Sequence, residues 1–393
     1  MNVAPTVAID DLTARMARVA AVAGKFAEAV DAEGRFPREA VDALRSERLL
    51  SIQIPGTLGG EGASISEIAA LCTILGQACA ASAMVFAMHQ IKLSSLVEHG
   101  ESSDWHRGFM QQIADEQLLL ASATTEGGIG GNMRNSICAI RIEGDRCFLE
   151  KDATVISYGA HADAILITSR SHADAASSDQ VLTVFLKDQY TIDRTVVWDT
   201  LGMRGTCSDG FLFKGEAPAV QILPKPFAEI AAQSMLATSH LLWSAVWYGI
   251  ATDATARAQA FVRAAARKSP GVTPPGALRL AEVSGQLQMM KSNIVAGLKT
   301  YEEAKADPER LSSMAFAVAI NNVKIVSSEM ILPVINHAML ICGIMGYKNG
   351  TPYSLGRHLR DAHSAQLMIS NDRILGNTST MLLVHKQDTS LLG

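Results

Sequence analysis

The sequence is poor in residues that staple or ligate. Its 393 residues include 6 cysteines, at positions 72, 79, 138, 147, 207 and 342. They are scattered, and no C-x-x-C pair occurs. That spacing excludes a disulfide framework or a structural zinc site and fits buried free thiols in a reducing cytoplasm. The 10 histidines are equally dispersed and form no H-E-x-x-H, so no metal site is expected. The net charge of -5 has the wrong sign for a nucleic-acid surface. No apolar run approaches the ~20 residues that span a bilayer, so no membrane partner is expected. The N-terminal stretch has acids early and lacks the continuous apolar core of a secretion signal.

What is present changes grammar twice along the chain. Residues 1–118 read as a helical domain. Ile9-Asp10-Asp11-Leu12 opens one helix with acids in its first turn. Pro37 is placed to open a second, with Val41, Leu44, Leu49 and Leu50 on its buried side. Gly56–Gly62 break the pattern, and Ile65–Leu96 is helical again. Residues 119–225 carry short runs rich in β-branched and aromatic residues (ICAIRI, CFLEKDATVIS, AILITS, VLTVFLK, FLFKG) separated by turns such as Glu143-Gly144-Asp145. Their spacing predicts an antiparallel β domain. Residues 226–393 predict a bundle of long helices: Ser239–Arg267, Ala277–Ala304 with a stripe of Leu287, Met290, Ile294 and Leu298, and Leu311–Leu340. The fold class is therefore α+β and mostly α.

Residues 121–132, ASATTEGGIGGN, gather four glycines behind Thr124-Thr125-Glu126. A dinucleotide-binding glycine loop follows a strand and opens a helix. This one leads into Ile137-Cys138-Ala139-Ile140, a strand pattern, and lacks the Lys-Ser/Thr of a P-loop. Glycines of this kind let backbone N–H groups approach a flat ring or a phosphate. They equally make a plain loop before a strand.

Five stretches in order resemble the acyl-CoA dehydrogenase superfamily. They are IPGTLGGEGAS (54–64), ATTEGGIGGN (123–132), TVISYGAHADAILITSR (154–170), DTLGMRGTCSD (199–209) and GIMGYKNGTPYSLGRHLRDA (343–362). The resemblance implies FAD held between the β domain and the C-terminal bundle, in a homotetramer or homodimer. It implies an acyl-CoA or acyl-carrier-protein substrate, dehydrogenated at its α–β bond, and an electron acceptor flavoprotein or oxygen. Ser122, Thr124 and Thr125 would lie beside the flavin ring, with Gly130 and Gly131 letting the loop approach it. Val155 and Ser157 would flank the other side, Val155 replacing a family tryptophan. Arg267 matches an arginine that meets a neighbouring subunit's FAD; without the family it reads as a cation at a helix C-terminus. The glutamine expected to follow it is missing near Leu278. Gly343 and Gly346 match a turn near the adenosine half, Asn371 joins the cofactor-binding set, and Arg360-Asp361 reads as a structural pair.

The family's base is missing. One arrangement places a glutamate eight residues after Asp361, where this chain has Ile369. The other places it early on the first long C-terminal helix, where this chain has Ser239 beside His240. Three readings follow. A nearby group substitutes: Asp372, three residues after Ile369 and so one helical turn along, or, more weakly, Glu126. Alternatively the chain resembles the superfamily's oxygen-activating flavin monooxygenases, with His89, Ser157 and His363 around the flavin. Or it binds flavin or an acyl thioester without catalysis. The Thr125-Glu126, LGMRGT and RDA stretches favour the dehydrogenase branch.

Overall fold

The computed structural model describes residues 9–128, 132–386 and 390. Five helices come first: α1 (Ile9–Glu33), α2 (Arg38–Ser46), α3 (Ile65–Ala78), α4 (Ala80–His99) and α5 (Asp104–Glu116). Pro37 is the residue before α2 and not its first helical position. The single helix expected over Ile65–Leu96 is two, because Cys79 adopts an extended conformation between α3 and α4. A capping box starts α3: Ser64 Oγ accepts from the Glu67 amide, and Glu67 accepts from the Ser64 amide at 2.7 Å.

Seven strands follow: β1 (Leu120–Ala123), β2 (Arg141–Glu143), β3 (Arg146–Ala153), β4 (Ala164–Arg170), β5 (Gln180–Leu186), β6 (Tyr190–Val196) and β7 (Gly210–Pro218). They form a three-stranded sheet in the order β1-β4-β5 and a four-stranded sheet in the order β2-β3-β7-β6. The pairing is not wholly antiparallel, since β1 runs parallel to β4. The reason is connectivity: the chain between β1 and β4 crosses to the other sheet as β2 and β3, so no hairpin joins them. Phe185 of β5 and Phe213 of β7 meet edge to face at 5.1 Å between the sheets. Lys151 of β3 is buried and donates to the Thr168 carbonyl of β4 at 2.6 Å, tying one sheet to the other.

The C-terminal part comprises α6 (Phe227–Ile230), a π-helical turn (Ala231–Met235), α7 (Leu236–Lys268), α8 (Ala277–Ala304), α9 (Pro308–Leu311), α10 (Met314–Cys342), α11 (Ile344–Tyr347), α12 (Gly356–Ala362) and α13 (Asn371–Leu382). On α8, Met290 and Ile294 are buried, with Leu287 and Leu298 half-buried beside them. By length and apolarity α10 would suffice to cross a membrane, which the reading of apolar runs did not anticipate. It packs against α7 and α8, and half of its most apolar window is buried there.

Two contacts lock the three parts together. Where α3 crosses α7, a Cβ on Gly249 would lie 2.5 Å from the Thr73 carbonyl and one on Gly76 2.8 Å from that of Val246. Only glycine allows so close an approach. At the other end, Arg360 of α12 pairs with Asp31 of α1 and donates to the Leu201 carbonyl at 3.0 Å. Asp361 accepts from the Met203 amide at 2.6 Å. Burial raises the Asp361 carboxyl to about 6, against the opposing pull of that amide and of Arg357. The LGMRGT and RDA stretches thus act together as a three-way junction.

Candidate active site

The site begins at the end of β1. Ser122, Thr124 and Thr125 are half-buried, with Thr125 Oγ1 accepting from Thr154 at 3.2 Å. Glu126 turns the other way, into the protein. It accepts from Ser136 Oγ at 2.6 Å and from the amides of Ile137 at 2.8 Å and Cys138 at 3.0 Å, with Lys151 Nζ 3.9 Å away. Burial pushes its carboxyl up. The Ser136 hydroxyl, the Lys151 charge and the two amides outweigh that and hold it below the usual range. Glu126 therefore anchors the glycine loop and is spent on that task, which removes it as a candidate base. Gly130 and Gly131 lie outside the described residues.

The opposite rim is the turn after β3. Val155 and Ser157 are half-buried there, in a turn and not in the continuous strand expected from CFLEKDATVIS. The turn is held against residues 206–209 by Ile156 N to Asp209 O at 2.9 Å and Tyr158 N to Thr206 O at 2.8 Å. Tyr158, Met203 and Cys207 all have positive φ, between 43° and 51°. Left-handed backbone at three residues other than glycine stores strain, a feature of functional loops. A chain of hydroxyls runs through it. Thr206 Oγ1 donates to the Met203 carbonyl at 2.9 Å, so it accepts from Ser208 at 2.8 Å, which accepts from Ser157 at 2.8 Å. Ser157 spends its proton inward and offers lone pairs outward.

A cavity of about 710 Å³ lies between the β part and the C-terminal helices, and none of Ser122, Thr124, Thr125, Val155 and Ser157 lines it. Its β-domain wall is Asn132–Arg134, Ser178 and Gln180. Its helical wall runs from Phe227 through Leu236 to His240, and is completed by Asn321, Ile369 and residues 373–380 of α13. A larger open groove of about 1300 Å³ on the face of β2, β3 and β7 holds none of the expected site residues.

Of the two positions that the resemblance aligns with the family's base, Ile369 reaches the smaller cavity and Ser239 does not. His240, next to Ser239, lines it as well. Ser239 itself donates to the Met235 carbonyl at 2.5 Å. No Asp or Glu is among the lining residues, and His240 is the sole imidazole there. His240 is buried, and its Nδ1 has no hydrogen-bond partner among the described residues. Burial and then the Lys324 charge push its pKa down to about 4, with Asn321 opposing. The ring is therefore a neutral proton acceptor at neutral pH.

The other expected residues fall elsewhere. Asp372 is exposed in the first turn of α13 and does not line the cavity. The helical spacing that linked it to Ile369 fails, because Ile369 has φ +47° and α13 starts only at Asn371. His363 is exposed at the end of α12, also off the cavity wall. His89 is fully buried; its Nε2 donates to the Leu50 carbonyl at 2.6 Å and its Nδ1 accepts from the Leu120 amide at 3.0 Å. Both ring nitrogens serve the backbone, so His89 joins α4 to β1. Asn371 is buried and accepts from Lys324 Nζ at 2.5 Å, so it shapes the Ile369 corner from within. Arg267 is exposed near the end of α7. Gly343 has φ +54° and terminates α10, and Gly346 packs under Cys342 and Met339. The residue that sequence reasoning passed over is His240; its adjacency to the aligned Ser239 was the signal.

Comparison with known proteins agrees with this architecture. Residues 12–117 match the acyl-CoA dehydrogenase N-terminal domain and residues 230–377 the acyl-CoA dehydrogenase C-terminal domain. The chain is 22% identical over 353 residues to cyclohex-1-ene-1-carbonyl-CoA dehydrogenase of Syntrophus aciditrophicus, covering 88% of this chain and 82% of that protein. It is 24% identical over 230 residues to the Geobacter metallireducens protein of the same name, covering 57% of this chain but 60% of that protein's length. The structure of dibenzothiophene monooxygenase TdsC from Paenibacillus sp. A11-2 superposes with a TM-score of 0.80 at 18% identity, over 95% of this chain and 97% of that one. That likeness shows a shared fold. With both flanking domains matched around a β domain of this topology, the chain belongs to the acyl-CoA dehydrogenase family of flavoproteins.

Proposed function

We propose that the protein is an FAD-dependent oxidoreductase that removes hydrogen from the α–β bond of an acyl thioester borne by CoA or an acyl-carrier protein. Bound flavin would supply the hydride acceptor. The donor set fits such a ring. Hydroxyls of Ser122, Thr124 and Thr125 stand on one rim and the acceptor oxygen of Ser157 on the other, while the nearby carboxylate, Glu126, is turned inward and compensated. The thioester itself would occupy the 710 Å³ cavity, which has Arg134 and Arg373 in its wall and no carboxylate. That lining suits a carrier bearing phosphate.

One observation carries the chemistry: Ile369, aligned with one of the family's base positions, and His240, the residue after the other, both line a cavity in which His240 is the sole imidazole. Burial makes that imidazole about as basic as a carboxylate in water, near 4. His240 takes the α-proton in the place of glutamate. Exposed Leu340, Ile344 and Tyr347 on the C-terminal helices, with Leu367 in the turn before α13, support self-association as a homotetramer or homodimer. Electrons would leave to an acceptor flavoprotein or to oxygen.

The lack of a carboxylate in the cavity also suits a reaction with no α-proton to remove. This favours a second reading, an oxygen-activating monooxygenase. TdsC, of the same fold, has been solved with FMN and indole. Anaerobic mixing with a panel of acyl thioesters separates the two. Bleaching of the flavin band by a thioester supports dehydrogenation. If no thioester bleaches it, but chemically reduced protein puts an atom of labelled oxygen into a substrate, the second reading stands. Chromatography of the released flavin decides between FAD and FMN.

A further inference from the structure

The inner wall of the cavity is unusual helix. Ala231, Ala232 and Leu236 line it, and Ala231–Met235 is π-helical. Such single-turn insertions are frequent at functional sites. Facing this turn, α4 presents Lys92, Ser95 and His99, three and four residues apart and so on one side of the helix. All three are buried. His99 Nε2 donates to Ser234 Oγ at 3.1 Å, and Ser234 donates to the Ile230 carbonyl at 2.9 Å. Lys92 fares worse. The residue is 5% exposed, and its Nζ meets the Met235 thioether, 2.9 Å away. Among the described residues no carboxylate forms an ion pair with it.

A thioether is a weak acceptor, and a buried ammonium without an anion is destabilising. Burial lowers its pKa to about 7. A methionine at this position would pack without that cost, so the charge calls for a use. Its place supplies one. Met235 precedes Ser239 by one helical turn, and the two are joined by the Ser239 hydroxyl. The ammonium therefore meets the cavity helix at Met235, one turn before Ser239, on side chains that are not themselves part of the cavity lining. Met235 is unbranched and adaptable, and its sulfur occupies the spot where an acceptor would bind the ammonium.

We propose that Lys92 binds the anionic terminus of a short acyl group, the Met235 side chain swinging aside to admit it from the cavity, so that the substrate is a short ω-carboxyacyl thioester. This rests on the thioester reading above. The His99–Ser234 bond ties α4 to the π-helical turn beside it. The carboxylate supplies the anion that Lys92 lacks and restores its charged form. An apolar acyl tail would bury its end against the ammonium with no compensation.

The test is calorimetric binding to the flavin-loaded protein of two thioether analogues that cannot be dehydrogenated, S-(3-carboxypropyl)-CoA and S-butyl-CoA. The wild type is expected to bind the carboxylate analogue about 10- to 100-fold more tightly. Lys92→Met should remove that preference, leave S-butyl-CoA binding intact or tighter, and melt no lower than the wild type. Lys92→Gln serves if the methionine variant fails to fold. Preference of the wild type for S-butyl-CoA, or an unchanged preference in the Lys92 variants, overturns the inference while leaving the thioester reading in place. Failure of the wild type to bind either analogue overturns both.

Discussion

Lys324 on α10 donates through Nζ to the carbonyl oxygen of Ile369, 2.8 Å away, and to Asn371 Oδ1, 2.5 Å away. One buried ammonium thus pins the left-handed corner at Ile369, the position that the resemblance aligns with a family glutamate. It also helps push His240 down, so the same charge shapes that corner and tunes the imidazole of the cavity.

Replacing Lys324 with Met should cost about 1–3 kcal/mol, because the Ile369 carbonyl and Asn371 amide lose a charged donor. Burial lowers the Lys324 pKa from 10.5 to about 8, with Glu329 opposing. Between those values the unfolded chain holds more protons than the folded one, so this lysine makes stability rise with pH from about 8 to 10.5. Denaturant melts across that range should show the rise in the wild type and a smaller one in Lys324→Met. Equal slopes would remove Lys324 as its source.

Acid sensitivity should trace to buried histidines. Burial moves His89 from 6.5 to about 4, opposed by its bond to Leu50. The unfolded chain therefore takes up a proton between pH 6.5 and 4 that the folded chain refuses, and stability falls as pH drops through that window. The His89 share is roughly 3 kcal/mol by pH 4. His106 and His240 share the window. Urea titrations of His89→Gln against the wild type, at pH 7 and pH 4.5, should show a shallower acid loss in the variant.

Loss of the Glu126 anchor should loosen the glycine loop without touching the bundle. Glu126→Gln keeps one acceptor but surrenders the charge opposite Lys151. We expect flavin affinity to drop about tenfold, the worth of one charge-assisted bond. Fluorescence titration of the apoprotein with flavin reads this directly. Unaltered affinity would show that the loop does not depend on the pair.

His240 and Asp372 make opposite predictions. His240→Gln should slow anaerobic flavin reduction by a thioester by about 10²–10⁴-fold, with flavin content unchanged. Asp372→Asn should leave the rate within about twofold, since Asp372 is exposed and off the cavity wall. Stopped-flow traces in which Asp372→Asn is the crippled variant would reverse the assignment.

The sequence was informative wherever a local rule governs. Long runs of helical periodicity placed α7, α8 and α10 to within a few residues, because burial of one face repeats every turn. It erred where a single backbone torsion intervenes. Nothing in the letters around Cys79 announces a break, and nothing around Ile369 announces a left-handed turn. That second omission sent the search for a base to Asp372.

By itself, the sequence determined the order of helical, β and helical parts, the glycine loop and the absence of glutamate at both base positions. Those depend on residue type and on spacing along the chain. Only the tertiary structure decided that β1 pairs parallel with β4, that Glu126 and His89 are consumed by backbone groups, and that His240 stands in the cavity wall. Each of these depends on which partners distant segments bring within about 3 Å, and hydrogen bonding at that range is set by packing between elements.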